Sequence, residues 1–228
     1  MKNEQKEAGM MREGTLDEIS DGRFYEANDM VKADCQGCEG CHACCEGMGD
    51  TLLLDPLDVH RLAVFLGKTA ASLLEGELSL AVQDGLILPY PAVVGEKETC
   101  IFLDGNGRCR VHAARPGYCR IFPLGRYYED GEFRYILQIH ECDRRKTKVK
   151  VKKWVDTPEL ARYERFVRDW HYFVRELQQK LASSGDPDYV RKVNLFFLRA
   201  FYQKEYEPEG DFYEQFYDRL RKARAIFA

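Results

Sequence analysis

Nowhere in this chain of 228 residues is there an apolar run of the roughly 18 residues that a membrane-crossing helix needs. The opening segment, MKNEQKEAGMMREGTLDEIS, lacks the apolar stretch of a secretory signal, so the chain reads as soluble and cytoplasmic, with no membrane partner. No GxGxxG occurs, which removes sequence support for a Rossmann site holding a dinucleotide or S-adenosylmethionine. No cysteine triplet has the CxxxCxxC spacing of the radical S-adenosylmethionine family. Gly47-Met48-Gly49-Asp50 would turn tightly but is too short to cradle a phosphate. The basic run Arg144 to Lys153 has no interleaved aromatics to stack on bases. Val149 and Val151 alternate there with lysines, as in a solvent-facing edge strand, so nucleic acid is not an expected partner. Basic residues are also scarce at the front, where residues 1–59 carry 5 Lys or Arg against 14 Asp or Glu.

Cysteine is abundant. Of nine, Cys35, Cys38, Cys41, Cys44 and Cys45 fall within eleven residues, and Cys100, Cys109, Cys119 and Cys142 follow. Disulfides use such spacing poorly: Cys44 and Cys45 are adjacent and would pair only with strain, and an odd count leaves one thiol over. In a reducing cytosol these are metal ligands or redox groups rather than staples. Thiolates two residues apart converge readily on one ion or cluster, because the CxxC turn points both sulfurs and several backbone N–H groups the same way.

The first block reads CxxCxxCC from Cys38 to Cys45. Residues 100–123 read CIFLDGNGRCRVHAARPGYCRIFP, with Cys100 and Cys109 around a turn and Arg115-Pro116 ahead of Cys119-Arg120 and Phe122-Pro123. On these residues the chain resembles the CxxCxxCC cysteine-cluster proteins (YkgJ-like), a zinc- or iron-chelating family some of whose members are called flagellin lysine N-methylases or iron-sulfur oxidoreductases. The resemblance covers residues 38 to 123. It implies a metal held by cysteines and, for a methylase-like member, a flagellin-like protein substrate and S-adenosylmethionine.

Cys38, Cys41 and Cys44 have the spacing with which ferredoxin-like loops supply three ligands to a [4Fe-4S] cluster, the fourth thiolate coming from elsewhere. Cys119 is the natural fourth, because Arg115 and Arg120 are expected to lower its pKa and offset the charge of the thiolates. Cys45 would then join Cys100, Cys109 and Cys142 in a second four-thiolate site. One cluster with several redox or structural thiols accounts for the same residues. A four-thiolate zinc that closes a loop-rich domain is the competing cofactor. The candidate metal ligands are therefore Cys38, Cys41, Cys44, Cys45, Cys100, Cys109, Cys119 and Cys142, with Cys35 a spare thiol. His42, His112 and His140 lie near cysteines and are read as their neighbours, while Glu46, Asp50, Asp55 and Asp58 are read as helix caps and surface carboxylates. Three function classes follow: an iron-sulfur redox or methyl-transfer enzyme, a zinc-stabilised binding module, and a metal chaperone.

The fold class expected is α+β. Residues 1–22 are polar and without hydrophobic period, and are read as flexible. Residues 23–156 form a hairpin-rich cysteine-cluster domain with short helices, one opening at Asp55-Pro56 and ending at Gly67, another starting at Thr69. Asp84-Gly85, Asp104-Gly105 and Asp130-Gly131 signal hairpin turns. Residues 157–228 form three amphipathic helices, opened by Thr157-Pro158, Asp186-Pro187 and Asp211, whose aromatic stripes are packing surface.

Overall fold

The computed structural model describes residues 16–35, 41–139, 141–142 and 147–227; Cys38, His140 and Arg144 to Lys146 lie outside the described residues. The architecture is α+β, with small antiparallel sheets and a helical C-terminal region. From Leu16 on, the segment expected to be flexible is a single helical turn, α1 (Leu16–Ile19), leading into strand β1 (Ser20–Tyr25). Strand β2 (Met30–Asp34) follows.

Helix α2 (Pro56–Leu66) starts where Asp55 accepts from the Asp58 amide at 2.8 Å while the Asp58 carboxylate answers the Asp55 amide, satisfying two otherwise orphan donors. Gly67 stops it at φ 62°, a left-handed conformation that glycine adopts without a Cβ clash. Thr69 then accepts from the Ser72 amide and starts α3 (Ala70–Gly76). The triplet Gly67-Lys68-Thr69, which resembles the end of a phosphate-binding loop, thus joins two helices, and Lys68 pairs with Glu77 instead of facing an open loop.

Strands β3 (Leu78–Gln83) and β4 (Leu86–Pro91) form a hairpin, as do β7 (Leu124–Glu129) and β8 (Glu132–Gln138), and β1 adds to β8 to give the order β1-β8-β7. At both turns the aspartate and glycine have positive φ, 48° and 82° in one and 52° and 80° in the other, matching the right-handed twist of the strands. Asp104-Gly105 behaves differently. The reversal there is a longer loop closed by one bridge between Leu103 and Cys109, with Asp104 Oδ1 accepting from the Asn106 and Arg108 amides and Gly107 at φ 72°. Between the two hairpins lie β5 (Val93–Val94), β6 (Thr99–Cys100) and the short helix α4 (Gly117–Ile121).

The lysine-rich stretch is strand only as far as β9 (Thr147–Lys150), which pairs with β2 through Val31 opposite Val149. Val151 is fully buried and opens helix α5 (Val151–Val155), because its side chain reaches the core instead of continuing the exposed edge. Three longer helices follow: α6 (Leu160–Ser183), α7 (Pro187–Leu198) with a π-helical turn over Arg199–Gln203, and α8 (Phe212–Phe227). The residue capping α6 is Glu159 and not Thr157, whose hydroxyl donates to the Val155 carbonyl and accepts from Arg120. The aromatic stripes meet one another: Trp170 stacks on Phe197 at 5.4 Å and Phe166 meets Phe216 edge to face at 4.6 Å. Among the described residues no helix is long and apolar enough to cross a membrane.

Candidate metal centre

Six cysteines from three stretches of chain line one cavity: Cys41, Cys44, Cys45, Cys100, Cys109 and Cys119. A 3-10 turn over Ala43–Cys45 presents the first stretch, closed by the Cys45 amide on the His42 carbonyl at 2.8 Å and tied to the β5–β6 loop by the Gly47 amide on the Lys97 carbonyl. Cys100 ends β6, and Cys109 sits at the bridge that closes the Asp104 loop. That loop approaches the first stretch closely: a Cβ on Gly107 would lie 2.8 Å from His42 Nδ1. Cys119 is carried by α4, whose first amide, Gly117 N–H, donates to the buried Asp58 carboxylate at 2.7 Å. The cap residue Asp58 thereby joins α2 to the cysteine site, and at 2 % exposure it is not the surface carboxylate its sequence position implies. Buried Leu52, Phe102 and Val111 complete the wall, an apolar lining that strengthens electrostatic effects on the thiols.

The thiols feel one another. Cys119 is pushed well up, first by burial and then by the thiolates of Cys100 and Cys44, with Asp58 and Cys109 adding to it. Cys100 is raised by burial and by Cys109 and Cys44, and Cys109 by burial and by Cys44. Every pair within Cys44, Cys100, Cys109 and Cys119 is thus in electrostatic contact. Two sulfurs receive a backbone N–H from two residues on, Phe102 to Cys100 and Val111 to Cys109, which favours the anion that binds metal. The Cys45 thiol donates to Cys44, bringing Cys44 down to about 7 with help from Arg115 and driving Cys45 up.

The arginines do not act where the sequence places them. Arg115 lowers Cys44 and Cys109, while Arg120 faces Asp58, Asp55 and Tyr163, so Cys119 rises instead of falling. The residues that seat α4 have little sequence signal. Arg126 from β7 donates to the Tyr163 hydroxyl at 2.7 Å and lies over the Tyr118 ring, and Tyr163 in turn fills the space that a Gly117 side chain would need. Cys35 is buried at 8 % exposure, and neither it nor Cys142 is among the residues lining the thiol cavity. His42 and His112 line it; burial pushes the His112 pKa down, with Arg115 and Arg108 in the same direction. Among the described residues, no three His, Cys, Asp or Glu side chains are arranged to hold a single metal ion.

A family model described as "CxxCxxCC: Putative zinc- or iron-chelating domain" matches residues 37–153, just over half of the chain. The chain belongs to the CxxCxxCC family. The CxxCxxCC match spans Cys38 to Cys142, leaves out Cys35, and ends before α6. The protein is therefore a zinc- or iron-chelating cysteine-cluster protein. No curated protein and no solved structure matches the chain.

Proposed function

We propose that the thiol cavity holds one iron-sulfur cluster of the [4Fe-4S] type and that the protein is an electron-transfer or redox protein. The observation that carries this reading is the gathering of six thiols from three stretches of chain around one cavity with an apolar wall. A tetrahedral four-thiolate zinc, with bonds of about 2.3 Å, sets its sulfurs about 3.8 Å apart. Here six cysteines line one cavity of about 100 Å³, more thiols than one such ion takes, and Cys44, Cys100, Cys109 and Cys119 influence one another around it. A cluster places each thiolate on a different iron and spaces the sulfurs more widely. These four cysteines are the proposed ligands, with Cys41 and Cys45 lining the same cavity. The apolar wall and the amides of Phe102 and Val111 are features that tune a cluster's potential.

Protein purified without oxygen from iron-replete cells is expected to be brown, with iron and acid-labile sulfide in equal amounts near about four per chain. Stoichiometric zinc without sulfide would overturn the cluster and leave the family assignment and the thiolate assignment standing.

A further inference from the structure

Strand β3 pairs with β4 alone, so one of its edges is free among the described residues. Which of its main-chain groups face that edge follows from β4. The Ile87 amide donates to Asn194 at 2.7 Å and the Pro89 carbonyl accepts from the Leu54 amide at 2.8 Å, so both residues face away from β3. Their opposites in the ladder are Val82 and Leu80, and residues opposite one another in an antiparallel pair face each other or turn away together. The N–H and C=O groups of Leu80 and Val82 therefore point out of the free edge, and among the described residues nothing bonds them. Their side chains are 48 % and 69 % exposed, and Val82 lines an open apolar groove with Ile87, Val190, Leu195 and Leu198.

Strand edges are ordinarily guarded by charges, proline or bulges, because an open one recruits another strand. In this molecule β1 and β2 are broken by register shifts, and β9 carries the exposed Lys148 and Lys150. Strand β3, LSLAVQ, has neither charge nor proline, and its register with β4 is unbroken. We propose that this edge pairs with the same edge of a second copy of the chain, β3 against β3, in one four-stranded antiparallel sheet. The two-fold axis passes at Ala81, which sets Leu80 of each copy opposite Val82 of the other. Among antiparallel registers, this one joins every outward N–H and C=O of Leu80 and Val82 to one another. It also sets the small Ala81 against its equivalent, Ser79 against Gln83, and the acidic Glu77 and Asp84 against Gly85 and Leu78, so no like charges are opposed. The edge is thus its own complement in hydrogen bonding, size and charge. No residue of β3 lines the thiol cavity, so the pairing is independent of which metal the protein holds.

The experiment is sedimentation velocity of the full chain, purified without oxygen and kept reduced, with amide hydrogen exchange on the same samples. At about 100 µM a dimer of the 26.5 kDa chain is expected. In it the Leu80 and Val82 amides are expected to exchange as slowly as those of Ser79 and Ala81, which bond to β4. Val82→Lys, a charge on the edge, is expected to weaken the dimer at least about tenfold. Val64→Lys, at a residue 55 % exposed on α2, is expected to leave it unchanged. A monomer at about 100 µM would overturn the proposal, as would a dimer that Val82→Lys leaves intact or one in which Leu80 and Val82 exchange freely. The mass and exchange readings use wild-type protein, so they decide the matter even if the Val82 variant fails to fold.

Discussion

Cys44, Cys100, Cys109 and Cys119 come from three separate stretches of chain, so a shared metal ties those stretches together and its binding energy becomes folding energy. Serine at any one of them is expected to remove most of the bound metal and lower the melting temperature. Cys142→Ser, at a residue outside the cavity lining, is expected to retain the metal; metal per chain and thermal melts check both. A second residue-scale effect is remote from the thiols. His171 stacks on Tyr128 at 3.6 Å, and its pKa falls to about 4, first through burial and then through Arg175 and Arg126. Its folded pKa is below the unfolded value of about 6.5, so the unfolded chain binds more protons between those values and stability falls as pH drops from about 6.5 toward 4, by about 3 kcal/mol in all. Asp55, raised to about 7 by burial and by Asp58, works the other way, adding stability as pH falls from 7 toward 3.8. The readout is therefore a difference: between pH 6.5 and 4 the stability of the wild type is expected to fall by about 3 kcal/mol relative to that of His171→Phe in denaturant unfolding, and parallel curves would refute the assignment.

At the scale of elements, the centre depends on how α4 is seated. Its N-terminus is held between the Asp58 carboxylate and the Tyr163 hydroxyl, and a Cβ on Gly117 would come within 2.5 Å of that hydroxyl. Gly117→Ala is expected to displace α4, destabilise the protein by about 1–3 kcal/mol and weaken metal retention, since Cys119 moves with the helix. Gly76→Ala is the matching control at the end of α3, where a new Cβ meets nothing within 4 Å. That change is expected to be neutral or stabilising by up to about 1 kcal/mol. Denaturant midpoints and metal content measured on both variants separate the close approach from any general effect of losing a glycine.

For the whole molecule, the helices after residue 157 are bound to the cysteine-bearing part by buried polar contacts as well as by apolar packing. Asn194 of α7, 5 % exposed, accepts from the Ile87 amide and donates to the Gly85 carbonyl, and Tyr202 donates to the Leu54 carbonyl at 2.8 Å. One contiguous buried cluster runs from Val31 and Leu54 through Trp170 to Phe216. The two tryptophans report on the two parts: Trp154 in α5 donates to the Ile121 carbonyl behind the centre, and Trp170 lies in α6. Single-tryptophan variants Trp154→Phe and Trp170→Phe are expected to unfold at the same denaturant midpoint as circular dichroism reports for each. Separate transitions would show that the helical region folds on its own.

Local chemistry was legible from residue order alone. Asp55-Pro56, Thr69, the two Asp-Gly hairpin turns and the periodic aromatics of α6 to α8 act within a few residues of themselves, so neighbours in sequence settle their conformation. The CxxCxxCC run and the Arg115-Pro116 motif likewise identified the family and its metal-binding character. Which thiols meet is another matter. Cys100 and Cys109 join Cys44 and Cys119 because the Asp104 loop folds back onto His42 and because Asp58, Arg126 and Tyr163 seat α4. Those contacts link residues tens of positions apart through a carboxylate and a phenol whose burial no local pattern announces, so only the tertiary structure could decide them.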